Sequence, residues 1–193
     1  MFVLGITGPS GAGKGTACEI LKEFGFYHID TDRLVPSLYP AALPDLIRVF
    51  GPQVCQNGTV NKKELAAVAF ASHEATEELN GILHPLVMKD VQRLISQAEK
   101  DGYKRVAVDG AALIEAHGEE VCHKILTVLT SRDERFVRVG KRDGISTDEI
   151  ERRFSAQKPD KFYINHSDGV IYNQTREQLK TDIINIIKEW DHE

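Results

Sequence analysis

The feature that most constrains this chain is the apolar run Phe2-Val3-Leu4-Gly5-Ile6-Thr7, followed at once by Gly8-Pro9-Ser10-Gly11-Ala12-Gly13-Lys14-Gly15-Thr16. A buried strand that ends in a glycine-rich turn and then enters a helical pattern gathers several backbone N–H groups around one point. The helix N-terminus adds partial positive charge there, and the glycines let the main chain close around an anion. The spacing G-x-x-x-x-G-K, with Lys14 able to reach β- and γ-phosphates, meets the pattern of a phosphate loop (P-loop) for a nucleoside triphosphate. The contacts expected with ATP are Gly11, Ala12, Gly13, Lys14, Gly15 and Thr16. The commonest form of the loop has Ser or Thr directly after the lysine. Here Gly15, which has no oxygen for a metal ion, intervenes before Thr16.

Further short apolar runs lie at 24–29, 105–109, 124–129 and 169–172. Near-continuous apolar runs rich in Val and Ile are the pattern of buried parallel strands. Between them, stripes such as Val87, Val91, Leu94, Ala98 and Leu179, Ile183, Ile186, Trp190 follow a helical period. Ser131, Ser146 and Thr175 each precede Glu or Gln by three residues, a helix-start signature, and Pro85 suits the first turn of a helix over 85–100. This alternation predicts an α/β P-loop NTPase fold, a five-stranded parallel sheet flanked by helices. The expected core covers about 1–56, 101–131 and 164–193. A helical acceptor-binding insert is expected at about 57–100 and a lid at about 132–163.

A length of 193 residues suits one domain. The net charge of −5 weighs against a nucleic-acid partner. Cys18, Cys55 and Cys122 lie far apart without metal-ligand spacing, as in a reducing cytoplasm. No apolar run is long enough for a bilayer, and the N-terminus reads as a strand rather than a leader, so no membrane association is expected. A cytoplasmic monomer is the expectation. His28, His73, His117, His123, His166 and His192 show no ligand spacing, and core or surface placement is expected for them.

The acceptor side is sought at the other strand ends, because ligands of such sheets bind at the carboxyl ends of the strands. Asp30 and Asp32 follow the second apolar run. Asp30 reads as a helix cap, and Asp32 as a carboxylate that orients a hydroxyl acceptor or takes its proton. Nine Lys or Arg against seven Asp or Glu lie between Arg132 and Lys161, a net +2 within an acidic chain, which suits a polyphosphate clamp. Arg138 and Arg142, four apart, share one helical face, and Arg135 extends it. ATP chemistry implies Mg²⁺, which needs few protein ligands. Asp109, ending its apolar run, and Thr16 are the candidate metal-side residues. Gly15 is expected to shift metal holding towards waters and acids, with Thr16 serving the α- and β-phosphates.

GPSGAGKGT, HIDTDRL, LNGILHPLV (79–87), DGAALIEA (109–116), KRDGISTDEIERRFSAQ (141–157) and SDGVIYN (167–173) follow one another as in the dephospho-coenzyme A kinases, which the chain resembles over nearly its whole length. The resemblance implies transfer of the ATP γ-phosphoryl group to the ribose 3′-hydroxyl of dephospho-coenzyme A. It implies Asp32 as the catalytic carboxylate, with Lys14 and Arg142 assisting. It also implies Lys62 and His84 on the acceptor side, the His84-Pro85 pair opening its helix, and Arg138 and Asn173 on the ATP side. The chain departs from the family pattern at Gly15, where Ser or Thr is usual, and at Lys62, where Arg is usual. Ala111-Ala112 replaces Pro-Leu, and Ser167 replaces Ala.

Two other readings stand beside this one. The loop itself is closer to those of cytidylate and adenylate kinases, so a nucleoside-monophosphate kinase is the alternative. A nucleotide-binding regulatory module without transfer activity is the other.

Overall fold

A computed structural model describes residues 1–190; His192 lies outside the described residues. In chain order the elements are β1 (Phe2–Thr7), α1 (Lys14–Glu23), β2 (Phe26–Asp30), α2 (Thr31–Phe50), β3 (Cys55–Gln56), β4 (Thr59–Val60), α3 (Lys62–Ala69) and α4 (His73–Lys100). There follow β5 (Arg105–Asp109), β6 (Lys124–Leu129), α5 (Arg132–Asp143), α6 (Thr147–Ser155), α7 (Asp160–Asn165), β7 (Gly169–Tyr172) and α8 (Arg176–Trp190).

Two compact units form: Asp30–Leu94, and Met1–Ile29 together with the described residues from Ile95 onward. The larger unit carries the expected five-stranded sheet, in the order β2-β5-β1-β6-β7. β1 pairs in parallel with β5 (Ile6 opposite Asp109) and with β6 (Ile6 opposite Leu126), and β6 pairs in parallel with β7. Both faces of β1 are covered, which is why it reads as a continuous apolar run: Val3 on one face is 3% exposed, and on the other Leu4 and Ile6 are fully buried. They pack with Ala17, Ile20 and Leu21 of α1 and Leu179 and Ile183 of α8 in one core cluster. Each of these Leu and Ile side chains contributes about 1.5–3 kcal/mol on burial.

The anticipated caps are present. Ser131 Oγ accepts from Glu134 N at 3.3 Å, and Thr175 Oγ1 accepts from Gln178 N at 3.1 Å. Ser146 and Glu149 form a reciprocal capping box. α5 has acids in its first turn and Lys141 and Arg142 in its last, matching the helix dipole, and it ends on Gly144 in the left-handed region.

One boundary is corrected. The helix expected to start at Pro85 starts at His73, so His84 and Pro85 lie inside α4 rather than at its head. Ser72 sets the true start by accepting from Ala75 N at 3.1 Å. Pro85 deprives the Gly81 carbonyl of its helical donor, but both residues are exposed and water can replace that bond. Leu79 and Leu83 before the proline, and Val87 and Val91 after it, are buried on one face, and that burial carries the helix through.

The smaller unit takes in α2 as well as the helices expected to form the insert. Ala42 and Leu46 of α2 pack with Leu65, Ala69, Leu79 and Leu83. α2 contains Pro36, Pro40 and Pro44 at four-residue spacing, all exposed, so the missing donors fall on one solvent stripe.

Candidate active site

The phosphate loop joins β1 to α1. Gly13 caps α1 in the left-handed conformation (φ 104°), where a side chain would be strained and would also collide with the Asn173 amide. Lys14, first residue of the helix, donates from Nζ to the Gly8 carbonyl at 2.9 Å. That bond folds the ammonium group back over the turn, at the helix end that favours anions. Gly15 is exposed, with no heavy atom within 4 Å of where a Cβ would lie. Thr16 is half-buried on the same first turn.

The loop is braced from the segment expected to be the lid. Arg135 is 8% exposed and donates from Nε to the Ser10 carbonyl at 3.1 Å. Its Nη2 donates to Gln157 Oε1 (3.1 Å), which in turn accepts from Ser10 N (3.3 Å). Its Nη1 reaches Asp160 at 3.4 Å, and the guanidinium lies 4.5 Å from the Phe154 ring centroid. Burial lowers the Arg135 pKa from its ordinary value, and Asp160 opposes that shift. One loop residue is therefore gripped through both its amide and its carbonyl.

The Ala12 carbonyl is gripped as well. It accepts from Asn173 Nδ2 at 2.9 Å and from Arg138 Nη1 at 3.4 Å. Asn173 is 6% exposed, and its own carbonyl accepts from Thr130 Oγ1 (2.9 Å) and Arg138 Nη2 (3.3 Å). Arg138 also pairs with Glu134. Of the residues expected on the ATP side, the structure thus brings Gly11, Ala12, Gly13, Lys14, Arg138 and Asn173 together.

Arg142 goes elsewhere. It pairs as a fork with Asp143 (Nε to Oδ1 2.7 Å, Nη2 to Oδ2 2.9 Å), and Arg153 pairs with the same carboxylate. Hydrogen bonds from Arg142 first, and from Arg153, hold the Asp143 carboxyl well below the usual carboxylate range.

Asp109 ends β5, half-buried, with Oδ2 3.7 Å from His28 Nε2. The fully buried Cys18 of α1 neighbours the same carboxylate. Sequence reasoning missed Gln157, Arg135 as a buried brace, and this Cys18–His28–Asp109 grouping. For Gln157 the only signal was its place at the end of the quoted lid motif. For Arg135 it was the spacing of three from Arg138.

In the Asp30–Leu94 unit, Asp30 caps α2, accepting from Arg33 N at 3.2 Å. Asp32 stands exposed on the first turn of the same helix. Lys62 opens α3 with Nζ 5.7 Å from the centroid of the Tyr39 ring, a cation–π distance. His84 is half-buried on α4.

The family model for dephospho-CoA kinase matches residues 2–178. A dephospho-CoA kinase of Corynebacterium glutamicum is 31% identical over 98% of this chain and 100% of its own length. Another, of Corynebacterium efficiens, is 33% identical over 90% of this chain and 88% of its own. Among solved structures, a Thermus thermophilus protein superposes with TM-score 0.83 at 26% identity, covering 97% of this chain and 96% of its own. A shikimate kinase from Acinetobacter baumannii, at TM-score 0.61 and 15% identity over 98% of this chain and 94% of its own, shares the fold. A match across 2–178 and relatives above 30% identity over nearly full length show that the chain belongs to the dephospho-CoA kinase family.

Proposed function

We propose that this chain carries out its family's reaction, the last step of coenzyme A synthesis, with its own residues in the following roles. That reaction transfers the ATP γ-phosphoryl group to the ribose 3′-hydroxyl of dephospho-coenzyme A. The observation that carries the reading is the family match over 2–178, which takes in the loop, the Asp30–Leu94 unit and the lid helices together. The loop alone names no acceptor, because many kinases share it.

Phosphoryl transfer is catalysed mainly by positioning and by offsetting charge. Lys14 and the amides of Gly11 to Thr16 hold the ATP phosphates, and Arg138 and Asn173 keep that loop in shape. Arg142 exchanges Asp143 for the transferring phosphoryl group. Asp32, exposed to an incoming substrate, accepts the proton of the 3′-hydroxyl. Lys62 and His84 serve the acceptor, Lys62 as a point charge where an arginine would offer a planar fork. The Asp30–Leu94 unit is the acceptor-binding insert, and α5 to α7 form a lid that excludes water on closing.

Thr16 and Asp109 offer the hard oxygen donors that Mg²⁺ takes, with water completing its shell. Thr16 and Asp109 would hold the ion, which would supply positive charge to offset the negative charge developing on the ATP phosphates. A cytoplasmic monomer belongs to the same proposal, and the thiols of Cys18, Cys55 and Cys122 are all unpaired, as a reducing compartment keeps them.

The test is turnover of ATP with dephospho-coenzyme A against CMP and AMP, for the native chain and for Asp32→Asn. Dephospho-coenzyme A is expected to be the preferred acceptor. Asp32→Asn is expected to lower kcat about 10²- to 10⁴-fold with ATP affinity retained. Turnover with a nucleoside monophosphate alone would overturn the acceptor, and ATP binding without product from any acceptor would favour a regulatory module.

A further inference from the structure

The mechanism above uses Asp109 but has no task for the two side chains beside it. His28 sits on β2, Asp109 at the end of the adjacent strand β5, and Cys18 on α1. All three belong to the larger compact unit. Their ligand atoms, the Cys18 sulfur, a His28 ring nitrogen and an Asp109 carboxylate oxygen, all lie within 4.8 Å of one another. Cys18 is fully buried, and the His28 and Asp109 side chains are only 15% and 13% exposed.

A second observation concerns His28 itself. Its Nε2 is buried and has no hydrogen-bond partner, and the nearest carboxylate oxygen, at 3.7 Å, is beyond hydrogen-bonding reach. A buried ring nitrogen without a partner is unfavourable, so its direction towards Asp109 and Cys18 calls for an explanation. An ion between the three groups supplies it.

We propose that Cys18 Sγ, His28 Nε2 and Asp109 form a binding site for a borderline divalent transition metal, Zn²⁺ in particular, and that its occupancy inhibits the kinase. One thiolate, one imidazole and one carboxylate are a donor set that Zn²⁺ takes, with its fourth position left to water. Mg²⁺ is excluded from such a set by its preference for oxygen. Metal–sulfur and metal–nitrogen bonds of about 2.3 and 2.0–2.1 Å require the three groups to draw slightly closer than they stand. On binding, the Cys18 S–H bond breaks, its proton leaves to solvent, and the sulfur pair forms the bond to the metal. The thiolate and the Asp109 carboxylate then balance the double positive charge.

Inhibition follows because Asp109 cannot serve this ion and the ATP-bound Mg²⁺ together. That part rests on the role given to Asp109 above, whereas the metal site does not.

The experiment titrates the purified, metal-free chain with Co²⁺ as a spectroscopic substitute for Zn²⁺. A thiolate-to-cobalt charge-transfer band with intense tetrahedral visible bands is expected at one equivalent. Cys18→Ala is expected to abolish the charge-transfer band, and His28→Gln to weaken binding at least about tenfold. Circular dichroism of both variants checks that they fold. Absence of the band, or its persistence in Cys18→Ala, overturns the site. In parallel, Zn²⁺ added at saturating Mg²⁺ is expected to lower turnover of the native chain while Cys18→Ala and His28→Gln, with unchanged basal turnover, resist it. A cobalt spectrum with the expected variant pattern but undiminished turnover overturns the inhibition alone. Should dephospho-coenzyme A prove not to be a substrate, the cobalt titration still decides the site.

Discussion

Asn173 donates from Nδ2 to the carbonyl oxygen of Ala12 at 2.9 Å, so the residue after the last strand holds the main chain of the phosphate loop. The bond is buried at both ends: Ala12 is fully enclosed and Asn173 is 6% exposed. A carbonyl left with only the longer Arg138 contact loses part of its satisfaction, at a cost of about 1–3 kcal/mol. Asn173→Ala is therefore expected to lower stability by that amount and to weaken ATP binding more than it lowers kcat. Asn173→Asp is expected to be worse, because it sets a carboxylate oxygen against the carbonyl. Thermal unfolding and ATP calorimetry check the order, and an Asp variant equal to the native chain would remove the bracing role.

Arg135 gives a second prediction about the same loop. Its guanidinium joins Ser10, Gln157 and Asp160, geometry that an ammonium group cannot reproduce. Arg135→Met is expected to cost about 1–3 kcal/mol, below the range for broken fully buried pairs, because Asp160 is half-exposed and can rehydrate. Arg135→Lys is expected to recover part of the stability but not the ATP affinity. Denaturant midpoints with ATP titrations separate the two effects, and full recovery of both by Lys would show that charge alone matters.

These braces mark the limit of what the sequence made legible. β1, β5, β6 and β7 fall where their apolar runs predict, because strands covered on both faces tolerate few polar residues. β2 starts two residues later than its run, because Phe24 and Gly25 close α1, with Gly25 at φ 79°. α2 was hidden by Pro36, Pro40 and Pro44, which read as breakers until their shared exposed stripe is seen. The hairpin of β3 and β4 has two residues in each strand, too few for any periodicity. Candidate residues near the loop, Asp109 among them, were legible from local spacing. The grouping of Cys18 and His28 with Asp109 was not, because only the pairing of β2 with β5 and the packing of α1 bring them together.

The Asp143 carboxylate supplies a pH-dependent prediction. Its pKa is depressed in the folded chain by hydrogen bonds from Arg142 and Arg153. A depressed carboxylate stabilises the fold above its unfolded pKa of about 3.9, and that contribution disappears as pH falls towards the folded value. Asp143→Asn is expected to lower the unfolding midpoint at pH 7 and equally at pH 5, with the difference closing below about pH 4. The arginines are 60% and 40% exposed, so the effect is modest and shrinks with added salt. A difference that widened on acidification would contradict the assignment.

Gly15 carries the last prediction. Its backbone is helical and a Cβ there meets nothing within 4 Å, so no steric reason keeps glycine at this position. Serine is the better helix former by up to about 0.5 kcal/mol, and Gly15→Ser is expected to raise stability by no more than that. The substitution also adds a hydroxyl where the commoner form of the loop places one for the metal. If Gly15 leaves Mg²⁺ to waters, Thr16 and Asp109, the added oxygen competes with a water and tightens the metal. Gly15→Ser is then expected to reduce the Mg²⁺ concentration for half-maximal turnover several-fold, with kcat little changed. The check is a Mg²⁺ titration of turnover at fixed ATP for the native chain, Gly15→Ser and Thr16→Val. A Mg²⁺ dependence unmoved by Gly15→Ser but shifted upward by Thr16→Val would mean that the Thr16 hydroxyl already fills the role.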